Sequence, residues 1–86
     1  MKNITLFIME SCPYCQKAIK TQNQLLKHER YKDLKIEVID ETVHPDIARK
    51  HDYFYVPTYY VDGAKKHEGA ADENDIRAVL ESAIAL

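Results

Sequence analysis

No block of like charge occurs in this sequence. Lysines and arginines are spread along the chain, and the net charge is −2. This removes the electrostatic footprint of a nucleic-acid or membrane-surface binder. No apolar run approaches the length that spans a bilayer. The run within "MKNITLFIME" is too short for a signal-peptide core and has no small-residue cleavage site. Repeats, low-complexity tracts and long linkers are also missing. What is left is one domain, residues 1–86, with an ordinary apolar fraction of 45% and a modest core. It reads as cytoplasmic, a compartment that keeps thiols reduced, so a permanent disulfide is not expected. A Cys-x-x-Cys bridge would in any case remove little entropy from the unfolded chain.

The elements follow from periodicity. Ile4–Ile8, "ITLFI", is a nearly continuous apolar run that fits a strand buried on both faces. From Pro13 to about Glu29, apolar residues recur at helical spacing, with Lys17, Lys20, Gln24 and Lys27 on the outer face. Leu34–Asp40 alternates as a half-exposed strand does. Pro45 opens a short helix with Ile47 and Ala48 inward. Thr58–Val61 is β-prone, Asp62-Gly63 is a tight-turn signal, and "AKKHEG" reads as a charged edge strand. Ile76, Val79, Leu80, Ala83 and Ile84 mark an amphipathic helix whose first turn is acidic. The order β-α-β-α-β-β-α implies a parallel βαβ unit followed by an antiparallel pair, with helices on both sheet faces.

Both cysteines of the chain lie in "ESCPYC", Glu10–Cys15. Cys12 falls where the first strand gives way to the first helix, as its cap, with Pro13 at the first helical position. The free amides of that helix end then point toward the Cys12 sulfur and, with the dipole, favour a thiolate. Thiols in such places have pKa values lowered to about 3.5–7.5. The thiolate is the form that attacks a disulfide, which makes Cys12 the expected nucleophile. Cys15 lies one turn along on the apolar face, more buried and less acidic, and suited to resolve a mixed disulfide. Pro13 stiffens the turn and withholds an N–H, so the residues between the cysteines tune the redox poise. A Cys-x-x-Cys at a strand-to-helix junction within a βαβ pattern is a strong redox signal.

A zinc site is the competing use of paired cysteines. His28 follows Cys15 at finger-like spacing, but the next histidine, His44, is too distant to complete the set. No metal is expected. Tyr53, Phe54, Tyr55, Tyr59 and Tyr60 cluster around Pro57. They are read as half core and half surface, as alternation on a strand dictates, whereas Tyr14 must stand near the reacting sulfur.

Taken together, Cys12-Pro13-Tyr14-Cys15, Val56-Pro57-Thr58, Asp62-Gly63 and the acidic helix start resemble a dithiol glutaredoxin of the thioredoxin superfamily, over almost the whole chain. The resemblance implies a thioredoxin-like α/β fold, with a four-stranded mixed sheet and three helices. It implies a monomeric thiol–disulfide oxidoreductase that reduces protein disulfides or glutathione mixed disulfides and uses glutathione as reducing co-substrate. It further implies a cis Val56-Pro57 bond beside Cys12, with the Val56 main chain pairing with the substrate backbone. The Ala71 and Asp72 amides would hold the γ-glutamyl carboxylate of glutathione, and Asp72 its amine. Asp72 is equally suited to be a helix cap.

The chain departs from that family in two places. Where glutaredoxins commonly carry a lysine before the first cysteine, it has Met9 and Glu10, and where they have a Gly-Gly pair it has Glu68-Gly69. A carboxylate at Glu10 would repel glutathione. Lys17 could compensate, but it lies more than a turn along the helix and reads as a solvated face residue. One rival reading is therefore a redoxin reduced by a thioredoxin reductase. A second is an iron–sulfur protein that bridges two monomers through Cys12 and glutathione. A third is a partner-binding module with inert cysteines.

Overall fold

Ile4–Ile8 forms the strand from which the rest is hung. In the computed structural model, which describes residues 1–85, this strand (β1) is flanked on both sides. The other elements are α1 (Pro13–Leu25), β2 (Ile36–Asp40), α2 (Pro45–Ala48), β3 (Thr58–Val61), β4 (Ala64–Glu68) and α3 (Glu73–Ile84). The sheet order is β2-β1-β3-β4, with β1 parallel to β2, antiparallel to β3, and β3 antiparallel to β4. This is the expected four-stranded mixed sheet in the expected element order.

Alternation along β1 builds two cores. Ile4, Leu6 and Ile8 face Cys15, Ala18 and Leu25 of α1 and the Ile76, Val79, Leu80 and Ala83 stripe of α3. Phe7 faces the other way, onto Ile39 and Tyr60, with Ile47 and Ala48 of α2 beside them. Helices thus cover both faces, unequally: two long helices on one, a single turn on the other. His51 helps to fill the thinner side. Its ring packs 4.6 Å from Phe7 and 4.9 Å from Tyr60, and its Nδ1 lies 3.0 Å from the Ile47 carbonyl.

Three expectations need correction. Thr58, Tyr59, Tyr60 and Val61 are all buried, not half exposed. β3 is an inner strand, so Tyr59 enters the larger core and Tyr60 the smaller one. α1 ends at Leu25 rather than near Glu29. The stretch His28–Arg30 offers nothing to bury, and the chain turns so that Tyr31 and Leu34 drop into the core. β2 begins at Ile36, two residues later than its alternation implies. The turn region is fastened to α3 by Glu81, whose carboxylate takes both arms of the Arg30 guanidinium at 2.6 Å and the Tyr31 hydroxyl. The Asp62-Gly63 turn forms as read, with φ of 49° and 81°, the left-handed values such a hairpin requires.

A buried polar pair crosses the larger core. The Tyr59 hydroxyl donates to Gln22 Oε1 at 2.7 Å, and both residues are shut off from solvent. Tyr59→Phe strands the Gln22 oxygen without its donor and is expected to lower stability by about 1–3 kcal/mol. A denaturant midpoint that does not move would show that the pair contributes nothing net.

Titration should bound the stable range. Burial raises the phenol pKa of Tyr53, Tyr59 and Tyr60. As pH climbs past about 10, the unfolded chain loses those protons before the folded one does, and stability falls. On the acid side, the Arg30 and Tyr31 bonds hold Glu81 down to about 2. Its contribution is present above the unfolded carboxylate range and fades as pH drops toward 2, shallowly because the pair is solvent-exposed. Thermal melts across pH should therefore fall steeply at the alkaline limb and gently at the acid one. A flat alkaline limb would contradict the tyrosine assignment.

Candidate active site

The carboxyl ends of β1 and β2, the amino end of β3 and the end of β4 share one edge of the sheet. Cys12 lies there. A turn closed by its N–H on the Met9 carbonyl at 3.1 Å carries the chain from β1 into α1. Cys12 is the N-cap of α1 in extended conformation, with Pro13 at the first helical position. Its carbonyl accepts from the Cys15 and Gln16 amides at 3.1 Å each, and its Sγ accepts from the Cys15 N–H at 3.4 Å. The sulfur is thus aimed at the open amide end of the helix, as the spacing implied.

The two thiols are both free and sit in different surroundings. Cys12 is half-buried, and its Sγ lies 3.9 Å from the Val56 carbonyl. Cys15 is fully buried among the side chains of the larger core. Burial pushes its thiol up to about 12, and the adjacent Cys12 sulfur adds to this while the Met9 amide opposes it. One sulfur meets solvent and amides; the other is held as a neutral thiol one turn behind.

The structure brings Val56 and Pro57 to this point from the opposite end of the sequence. Their peptide bond is cis. Pro57 is buried and Val56 packs at the margin of both cores. Tyr14 is 62% exposed and borders a cleft of about 230 Å³, together with Lys17, Ala70, Ala71, Asp72 and Asp75. Ala71 leans on the core. Asp72 behaves as a cap: its carboxylate accepts from the Asp75 N–H at 2.8 Å, and its own N–H donates to Asp75 Oδ2 at 3.0 Å. The Asp72 amide expected to face a ligand carboxylate is therefore already engaged.

Two residues at this edge escaped the sequence. Lys17 was read as a solvated face residue, yet it lines the cleft with Tyr14, three positions earlier on the same side of α1. That i, i+3 relation was visible. Glu68 carries two main-chain amides of the segment before Pro57, and no local pattern announces it. Glu10 keeps its carboxylate exposed, while its carbonyl accepts from Gln16 Nε2 at 2.8 Å. Beyond it, Asp40 is held below the ordinary carboxylate range by the Thr42 hydroxyl and amide, with the Glu10 N–H assisting. A larger cleft of about 360 Å³ opens beside α2, lined by Glu41, Arg49, Tyr53 and Phe54 among others; a cysteine lines neither this cleft nor the smaller one.

Comparison with known proteins agrees with the fold. Solved structures with the same fold include the oxidised thioredoxin of Plasmodium falciparum, with TM-score 0.75 and 18% identity, covering 98% of this chain and 82% of that one. A mutant thioredoxin of Halobacterium salinarum aligns with TM-score 0.74 and 24% identity over 99% of this chain and 76% of its own. An uncharacterised thioredoxin-like protein of Clostridium perfringens gives TM-score 0.68 and 29% identity over 95% and 70%. No curated protein matches significantly by sequence. The family described as Thioredoxin domain matches residues 2–81, and on that match the chain belongs to the thioredoxin-domain family.

Proposed function

We propose that this protein is a thiol–disulfide oxidoreductase that reduces protein disulfides through Cys12 and Cys15. The observation that carries the reading is the asymmetry of the pair. Cys12 Sγ stands at a helix amide end beside the Val56 carbonyl, and Cys15 is sealed beneath it. Cys12 as thiolate attacks one sulfur of the substrate disulfide. That S–S bond breaks, a mixed disulfide forms, and the first substrate sulfur leaves as a thiolate. Cys15 then gives up its proton and attacks the Cys12 sulfur. The second substrate thiolate departs, and the two leaving sulfurs take up the Cys15 proton and one from solvent, the equivalent of the proton Cys12 released on ionising. The substrate has gained two electrons, and the protein carries a Cys12–Cys15 disulfide that a reductant must reopen.

The reductant is the finer question. Glutathione, implied by the family resemblance, is favoured by the position of Lys17 and Tyr14 in the smaller cleft, Tyr14 lying two positions after Cys12. A flavoprotein of the thioredoxin-reductase kind is favoured by the remaining groups. Asp72 and Asp75 place two carboxylates in the same cleft, the Asp72 amide is occupied, and Glu10 adds an exposed negative charge. Glutathione, itself a dicarboxylate, meets more repulsion than attraction here. We therefore assign regeneration to a protein reductase, with glutathione as the second reading.

Cys12→Ser should abolish reduction of a protein disulfide, and Cys15→Ser should accumulate a mixed disulfide at Cys12. Mass spectrometry reads both results; activity that survives in Cys12→Ser but not in Cys15→Ser would reverse the roles. Iodoacetamide near neutral pH should label Cys12 and leave Cys15 intact, since a thiol pushed up to about 12 presents almost no thiolate there. Equal labelling of both would remove the asymmetry on which the reading stands.

Turnover with thioredoxin reductase should exceed turnover with glutathione and its reductase. Glu10→Lys should narrow that gap by raising glutathione use several-fold, in proportion to about one screened charge contact on each side of neutrality. No gain in glutathione use would dismiss Glu10 as a selector.

A further inference from the structure

The segment Asp52–Pro57 has no regular secondary structure, yet one side chain fixes it. Glu68, the last residue of β4, pairs with Thr58 across the sheet. Its carboxylate turns back over the segment that enters β3. Oε2 accepts from the main-chain N–H groups of both Phe54 and Tyr55, the latter at 3.0 Å. Oε1 accepts from Lys65 Nζ at 2.8 Å, and the same ammonium reaches the Asp52 carbonyl at 3.1 Å. The Thr58 hydroxyl closes on the Tyr55 carbonyl, and the Gly69 N–H on the Pro57 carbonyl at 2.8 Å. Although β4 is an edge strand, the Glu68 side chain is only 20% exposed.

The clamp has two consequences. With their amides drawn onto Glu68, Phe54 and Tyr55 turn their rings into solvent, 87% and 70% exposed. With Tyr14 they are the exposed aromatic residues among those described; Phe54 borders the cleft beside α2, and Tyr55 directly precedes Val56. The next residue, Val56, presents its carbonyl to Cys12 Sγ. Lys65 and the two amides hold the Glu68 carboxyl down to about 2, so the clamp stays charged through any working pH.

We propose that Glu68 is a positioning residue for the exchange reaction. By clamping the Phe54 and Tyr55 amides, it holds the Val56 main chain as a preformed strand edge against Cys12, and so favours disulfides carried on an extended polypeptide. This rests on the thiol–disulfide reading above. No proton or electron passes through Glu68. A polypeptide disulfide benefits because the segment need not be ordered when it binds. A small disulfide without a peptide backbone has no strand to pair.

The test compares single-turnover oxidation of the reduced protein by a disulfide-bonded peptide and by bis(2-hydroxyethyl) disulfide. Each is measured for wild type, Glu68→Ala and Glu68→Gln. The ratio of the two rate constants, peptide over small disulfide, is expected to fall on the order of tenfold in Glu68→Ala, the scale of one or two net hydrogen bonds. Glu68→Gln keeps an acceptor for the amides but loses the Lys65 ion pair, and should fall between. Amide exchange at Phe54 and Tyr55 should quicken in the same order, while the far strand β2 keeps its protection. An unchanged ratio, equal loss on both disulfides, or unchanged exchange at Phe54 and Tyr55 would overturn the assignment. A wild-type protein that reacts with neither disulfide would instead overturn the exchange reading, and this assignment with it. Faster exchange in Glu68→Ala would still identify the clamp itself.

Discussion

The antiparallel pairing of β1 with β3 is the constraint on which the site depends. Phe7 pairs with Thr58. From that pair, one chain runs five residues on to Cys12, and the other begins only two residues after Val56. The register therefore decides that a sulfur near one end of the chain meets a carbonyl from its second half. A slip of one residue would send Tyr59 to the thin face and Tyr60 to the thick one. Tyr59 is completely buried with its hydroxyl bonded to Gln22, and Tyr60 packs edge-on against Phe7 with its hydroxyl on the Asp52 carbonyl at 2.7 Å. Neither hydroxyl would find its partner in the other core. The packing that stabilises the sheet is also what aligns the reactive edge.

From that alignment two cysteines of identical chemistry acquire opposite properties. They stand three positions apart with two residues between them, which on a helix is less than one turn. The first precedes the helix and faces its unpaired amides; the second lies inside it, on the stripe that contacts β1 and α3. Nothing but position distinguishes them. A reaction that needs one sulfur ready and the other withheld is well matched to this division, because premature ionisation of Cys15 is opposed by the same apolar contacts that hold α1 on the sheet.

The parts legible in the sequence are those written over short distances. The Cys12 cap with Pro13 behind it, the positive-φ turn at Asp62-Gly63, and the 3.6-residue stripe of α3 each occupy a few consecutive positions, and each stands in the structure as read. What the sequence hid depends on partners far along the chain. Tyr59 and Tyr60 are both buried because β3 is an inner strand, and strand order is not a local property. α1 stops at Leu25 because Tyr31 and Leu34 have a core to enter and Glu81 waits to receive Arg30, 51 residues away. Glu68 looks like any charge on an edge strand until the fold lays Phe54 and Tyr55 across it. The cis Val56-Pro57 bond was legible only through family resemblance, since an X–Pro bond by itself favours trans.

The same distinction separates the fold from its ligand preference. A helix N-terminus with exposed amides is a ready anion site, and α3 opens at the edge where Cys12 lies. Here the capping box of Asp72 and Asp75 satisfies two of those amides reciprocally and sets carboxylates in front of the rest. The exchange that fastens the first turn of α3 therefore also cancels its attraction for a carboxylate-bearing ligand. Lys17 alone works in the other direction in that cleft. A Cys-Pro-Tyr-Cys motif specifies how sulfur is presented, but on the proposed function the reductant is chosen by groups some sixty residues further on. In this chain those groups serve the stability of their own helix first, and that service is what argues for a protein partner over a small anionic thiol.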